Sequence, residues 1–203
     1  MSTSDPVSIA ALTLAILGGG LVAAATALAV RPGRIAHGFA WIAIAGLGHV
    51  ILGLAVAVHS AGGGGLTAAM LQFLSVIAAV VLSVLAGPPS EESPPRPGLL
   101  SAAGSGLAWL TLVGLPPSLG FHGKLLVYRA LMRVGWDGLA LLAMTSSAVA
   151  LIAALWAIRS ARPAPVRGLR AVVLAGAIAC VIALGLYPEA ALPLARLLSG
   201  QGS

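Results

Sequence analysis

Long apolar runs, almost free of charged side chains, occupy most of this sequence: Val7 to Val30, Ile35 to His59, Leu66 to Ala86, Leu99 to Val134, Gly138 to Ile158 and Ala171 to Tyr187. About 20 apolar residues are what a helix needs to cross a hydrocarbon core roughly 30 Å thick. At that depth no water completes the backbone's hydrogen bonds, so only helices and closed barrels can span. A barrel would alternate polar and apolar residues over segments of about 10, and these runs do not alternate. Composition points the same way. Charged residues make up 8% of the chain, against roughly 25% in a soluble domain, and mean hydropathy is +1.05. A soluble fold of this size cannot hide so much apolar surface. The sequence therefore excludes a soluble globular enzyme, a disordered chain and a nucleic-acid binder, and it predicts an all-α integral membrane protein. The formal charge of +6 reads as loop arginines that set orientation. The one cysteine, Cys180, lies in an apolar run, so there is no disulfide framework.

The runs predict one membrane domain over 1–203 with about six spans. The first run is too long, and too poor in flanking basic residues, for a signal peptide. Arg31-Pro32-Gly33-Arg34 ends it, and Ser60-Ala61 with Gly62 to Gly65 makes the next turn. Residues 87–98, rich in proline, form an extended linker. The run 99–134 differs from the others. As one straight helix its 36 residues would rise about 54 Å, too far for a single crossing. Pro116-Pro117 interrupts it, because each proline removes a donor and clashes with the preceding turn. Ser118 is placed to cap a second half-helix, and Gly120 and Gly123 permit close backbone approach. A break at bilayer depth is tolerated only where protein or a water-filled cavity covers the freed carbonyls, and in transporters such breaks mark ion pathways.

Counting the broken run as one crossing puts Arg31, Arg34, Arg96, Arg159, Arg162, Arg167 and Arg170 on one side, and Arg129, Arg133 and Arg196 on the other. The positive-inside rule then places the odd-numbered loops in the cytoplasm and both termini outside. Two full crossings would move the four-arginine loop to the other side and largely cancel the bias.

Ionisable groups within apolar runs are functional candidates, because they are expensive there. The candidates are Lys124 and His122, just past the proline break, and His49 in the second run. Desolvation penalises the charged form of a buried ammonium, so Lys124 suits proton exchange. The alternative is a lysine that snorkels to the interface, as Arg129 and Arg133 do by their position. For His49 and His122 the alternative is a core histidine bonded to helix backbone. His37 and His59 sit at run ends and read as interfacial. Gln72, Ser75, Ser83, Thr145, Ser146 and Ser147 either line a hydrated path or bond across helices. Asp137 and Glu189 lie at run edges, and no acid lies inside a run. No dinucleotide fingerprint, phosphate loop or metal-ligand spacing occurs, so the expectation is no cofactor, no metal and no active site of its own.

The segment from Leu110 to Lys124, with Gly114-Leu115-Pro116-Pro117, Gly120-Phe121 and Gly123-Lys124 in register, resembles a signature of the antiporter-like subunits of respiratory complex I. That family also includes Mrp-type cation/proton antiporter subunits and the membrane arms of energy-converting hydrogenases. The resemblance implies a discontinuous helix with Lys124 as a proton carrier, assisted by His122 and His49. A second, weaker likeness runs from Arg34 through Ala40-Trp41-Ile42-Ala43 to Gly48-His49-Val50-Ile51-Leu52-Gly53-Leu54. There the family's serines are absent, and His49 stands where an aromatic is common. Family members carry two inverted five-helix repeats. This chain resembles the C-terminal repeat and a closing helix, with no counterpart of the N-terminal repeat, its glutamate or its lysine.

The resemblance implies a proton- or cation-translocating subunit of a redox-driven or antiporter complex in a bacterial-type cytoplasmic (inner) membrane. Its partners would be other integral membrane subunits, one of them covering the face of the missing repeat, together with lipid and no nucleic acid. The alternatives are a truncated, non-transporting scaffold of such a complex, and a small homo-oligomeric transporter.

Overall fold

A computed structural model describes residues 6–31, 35–60, 63–87, 98–160, 164–187 and 189. Residues 88–97 of the linker, both chain ends, and Arg34, Arg96, Arg162 and Arg196 of the charge count lie outside them. The described residues form seven helices and no strand: α1 (Pro6–Ala29), α2 (Ile35–Ser60), α3 (Gly63–Ala86), α4 (Leu99–Val113), α5 (Leu119–Arg133), α6 (Asp137–Ser160) and α7 (Leu169–Leu186). Helices α1, α2, α3, α6 and α7 are each long and apolar enough to cross a membrane. The chain is a multi-pass, all-α membrane protein.

Helices α4 and α5, 15 residues each, are the two halves of the interrupted run, and the core shows how they lie. Leu107 and Ala108 of α4 share a cluster with Leu82 and Ala86 of α3, and Leu112 and Val113 share one with Val76 and Ala79. Past the break, Leu119 packs with Leu71, and Val127 and Leu131 cluster with Ala68. Moving up α4 and α5 thus means moving steadily down α3. Along α6 the order is also reversed: Ala154 and Ala157 belong with α4, and Ala140 and Ala143 with α5. The two short helices are laid end to end against two full-length ones, which is the register of a single broken crossing.

Small residues let the helices approach closely, as they must where lipid offers no hydrophobic drive for association. A Cβ on Gly18 of α1 would come within 3.0 Å of the Gly48 carbonyl of α2. The sequence reads Gly62 to Gly65 as a turn, but α3 begins at Gly63 and takes three of these glycines into its first turn. Packing explains the difference. A Cβ on Gly65 would sit 2.5 Å from the Ala57 nitrogen, so α2 and α3 cross there backbone to backbone.

Two side chains tie down helix ends. Arg170 donates from Nε to the Leu85 carbonyl (2.9 Å) and from a terminal nitrogen to that of Val84 (2.7 Å), satisfying orphan acceptors at the end of α3. Ser101 donates to the carbonyls of Gly98 and Ala164, pinning the start of α4 to the segment before α7. Large apolar side chains face outward along α1 (Ile16, Leu17), α6 (Ile152, Trp156) and α7 (Val172, Val173), as lipid or neighbouring helices permit.

Candidate proton-transfer site at the helix break

The break is built from what two prolines cannot do. In an unbroken helix the carbonyls of Leu112 and Val113 would accept the N–H groups of residues 116 and 117. Both are proline, and neither has an N–H. The chain leaves α4 through Gly114, which holds the left-handed conformation (φ 82°, ψ 51°) that glycine adopts without strain. The N–H groups of Gly114 and Leu115 both return to the Leu110 carbonyl, at 2.9 and 3.0 Å. The Pro116-Pro117 bond is cis. Ser118 occupies the N-cap position of α5 with extended backbone, yet its hydroxyl does not cap that helix. It turns back instead and donates to the Leu115 carbonyl at 2.6 Å. The Ser118 backbone N–H goes to the same carbonyl, at 3.0 Å, closing a tight turn at the break.

The first turn of α5 lies beside the last turn of α4, and glycine makes this possible. A Cβ on Gly120 would fall on the Thr111 carbonyl oxygen. A Cβ on Gly123 would come within 2.9 Å of the Gln72 Cα on α3. With α5 drawn in this far, the Lys124 side chain reaches back across the break. Its Nζ donates to the orphaned Val113 carbonyl at 2.9 Å and to Ser147 Oγ of α6 at 2.9 Å. Lys124 is 4% exposed. It points inward, and of the two readings open from its position the structure places it in the interior rather than at the interface. Arg129 and Arg133, farther along the same helix, are exposed.

The Tyr128 hydroxyl shares a 2.7 Å hydrogen bond with Ser147 Oγ and lies 3.4 Å from the Ala143 carbonyl. His49 of α2 comes next, its ring centroid 6.0 Å from that of Tyr128. His49 Nδ1 lies 2.8 Å from the Ala45 carbonyl. A carbonyl only accepts, so Nδ1 carries a proton, and when the ring is neutral the lone pair is on Nε2. Nε2 is buried with no hydrogen-bond partner, and Lys124 is near enough to act on the ring through its charge. Gln72 and Thr111 are fully buried, and their side-chain polar atoms also have no partner. A cavity of about 210 Å³ adjoins this group, room for several waters at ~30 Å³ each. Lys124, Tyr128 and Ser147 are its polar lining, and Phe121, Met144 and Leu151 contribute to its apolar walls.

The structure thus brings together two of the three sequence candidates, Lys124 and His49. His122 belongs to another face of α5. Its Nε2 donates to the Gly185 carbonyl of α7 at 2.8 Å, beside the point where a Cβ on Gly185 would meet the Pro117 carbonyl. His37 is exposed, and His59 packs at a tilt against Trp136 with centroids 5.0 Å apart. Sequence reasoning missed Tyr128. The available signal was its position one helical turn after Lys124, which puts both on one face. Of the hydroxyl run on α6, only Ser147 reaches the site. Ser146 bonds Thr26 of α1, and Thr145 bonds its own helix.

No protein-family model matches the chain, and no curated protein matches it. Solved structures do. Over 94% of its length the chain superposes on 47% of a chain in the Mrp complex from Dietzia sp. DQ12-45-1b, with TM-score 0.80 and 18% identity. It also matches chains of respiratory complex I from Thermus thermophilus. One match has TM-score 0.67 and 24% identity over 90% of this chain and 45% of the other. Another has TM-score 0.69 and 19% identity over 97% and 46%. The chain spans about half the length of the solved chains it matches, and over that half it has the fold of subunits in the two assemblies to which the Pro-Pro, Gly-Phe, Gly-Lys motif resembles a signature.

Proposed function

We propose that the chain is a cation-translocating subunit of a larger membrane complex, and that it moves protons by charging and discharging Lys124. The observation that carries this reading is the bond from Lys124 Nζ to the Val113 carbonyl, an acceptor freed by the proline break. It puts an ammonium group, deep in an apolar interior, beside a cavity that can hold water. Such a group is sensitive to any charge that approaches it, since low dielectric strengthens Coulomb interactions several-fold. A neighbouring subunit is the natural source of that charge and covers part of the outward apolar surface. The fold's occurrence as half of larger chains in the Mrp complex and complex I supports membrane subunits as partners.

Deletion and complementation tests this reading against a purely structural role. Membranes lacking the chain are complemented with wild type or with Lys124→Met, and cation transport is followed in inverted vesicles. A carrier predicts normal assembly with Lys124→Met and reduced transport. A scaffold predicts that deletion abolishes assembly while Lys124→Met transports as wild type does, and that result would remove the carrier role.

A further inference from the structure

We propose that Ser147 and Tyr128 form a two-hydroxyl proton relay between Lys124 and the free lone pair of His49 Nε2. The proposal rests on the carrier reading of Lys124 and adds the route. Two of the three links are short hydrogen bonds in the interior, with Lys124 Nζ to Ser147 Oγ at 2.9 Å and Ser147 Oγ to the Tyr128 hydroxyl at 2.7 Å, and the third is the approach of the Tyr128 and His49 rings, with centroids 6.0 Å apart. The Tyr128 ring abuts that of His49, which is 1% exposed and whose Nε2 has no partner. Each hydroxyl has one proton to give and lone pairs to receive, so the pair can hand a proton on without itself becoming charged.

The charge on Lys124 sets the direction of the chain. An ammonium has donors only, so Ser147 must accept from it. Ser147 then donates to the Tyr128 oxygen, and Tyr128 donates onward, to the Ala143 carbonyl or to His49. In the transfer, one N–H bond breaks at Lys124 and its proton goes to Ser147 Oγ. The Ser147 hydroxyl proton moves to the Tyr128 oxygen, and the Tyr128 proton forms a new N–H bond at His49 Nε2. One positive charge passes from lysine to histidine, and no oxidant or reductant is involved. Afterwards the hydroxyls point the other way, with Tyr128 donating to Ser147 and Ser147 to the neutral amine. Among the described residues, the titratable groups near Lys124 are His49 from α2 and Tyr128 from α5. Among the described residues α6 brings Ser147 to Lys124, α3 and α4 bring Gln72 and Thr111 against Gly123 and Gly120, none of which titrates, and α7 brings the Gly185 carbonyl to His122.

The chain suits a direct test, because Lys124 is its only lysine and Tyr128 one of two tyrosines. The full chain, with ¹⁵Nζ-lysine and ¹³Cζ-tyrosine and with Tyr187→Phe to leave one tyrosine signal, is titrated in lipid bilayers by solid-state NMR. The relay predicts that the Tyr128 resonance shifts at the same midpoint as the Lys124 resonance, and that this coupling is lost in Ser147→Ala. A lysine that titrates while Tyr128 stays constant overturns the relay and leaves the carrier reading intact. A lysine that never titrates overturns both. In the assembled complex, Ser147→Ala and Tyr128→Phe should lower transport on the order of a hundredfold, with Ser147→Thr restoring it. Equal rates in the Ala and Thr variants overturn the relay.

Discussion

At the scale of single residues, the site assigns different consequences to neighbouring side chains. Removing the Lys124 ammonium leaves the Val113 carbonyl and Ser147 without their donor. Loss of a partner from a buried acceptor costs about 1–3 kcal/mol, so Lys124→Met should lower the thermal midpoint of the purified protein without preventing folding. Gly120→Ala is a harsher change, because its methyl group would land on the Thr111 carbonyl. Overpacking of this kind costs about 1–3 kcal/mol or more. The variant should accumulate poorly, as seen by quantitative immunoblot of membranes, whereas Gly106→Ala, on a helix position with open space around it, should accumulate as wild type. His122→Ala removes the tie to Gly185 on α7. It should weaken the α5–α7 contact, read as faster hydrogen exchange at the end of α7. Wild-type exchange there would show that the bond contributes nothing.

Whole elements explain why much of this arrangement could be read before the structure was known. The apolar runs outline the five long helices because bilayer thickness fixes their length, and the double proline marks the break because no helix can continue through it. Lys124 stands out because charge is so scarce around it. Other features depend on packing that the sequence does not carry. The residue type suits Ser118 equally to capping α5 or to bonding a carbonyl three residues back, and it takes the second course, at Leu115. Nothing local separates Ser147 from Ser146 on α6 either. Their one-residue offset turns one toward Thr26 and the other toward Lys124. The prolines themselves offer a test. Pro116→Ala with Pro117→Ala restores two N–H donors, one of which competes with Lys124 for the Val113 carbonyl. Freed from that bond, Lys124 should react faster with an amine-directed reagent. Unchanged reactivity would show that the break does not hold the lysine.

For the molecule as a whole, the main fact is that this chain matches about half of larger subunits while keeping a complete broken crossing packed between α3, α6 and α7. The positive-inside rule predicts that both termini lie on the side opposite the loop around Arg167; reporter fusions at these places test this, and reporters active on the same side would contradict it. The packing gives the site a floor of full-length helices and leaves its cavity beside Met144 and Leu151 of α6. On the proposed reading, transport depends on one lysine, one bond across the break and the complex around them. The most direct measurement is the number of protons moved per turnover by the purified complex in sealed proteoliposomes, with wild-type chain and with Lys124→Met. The Lys124→Met complex should assemble and turn over while moving fewer protons per cycle. An unchanged number would mean that Lys124 carries none.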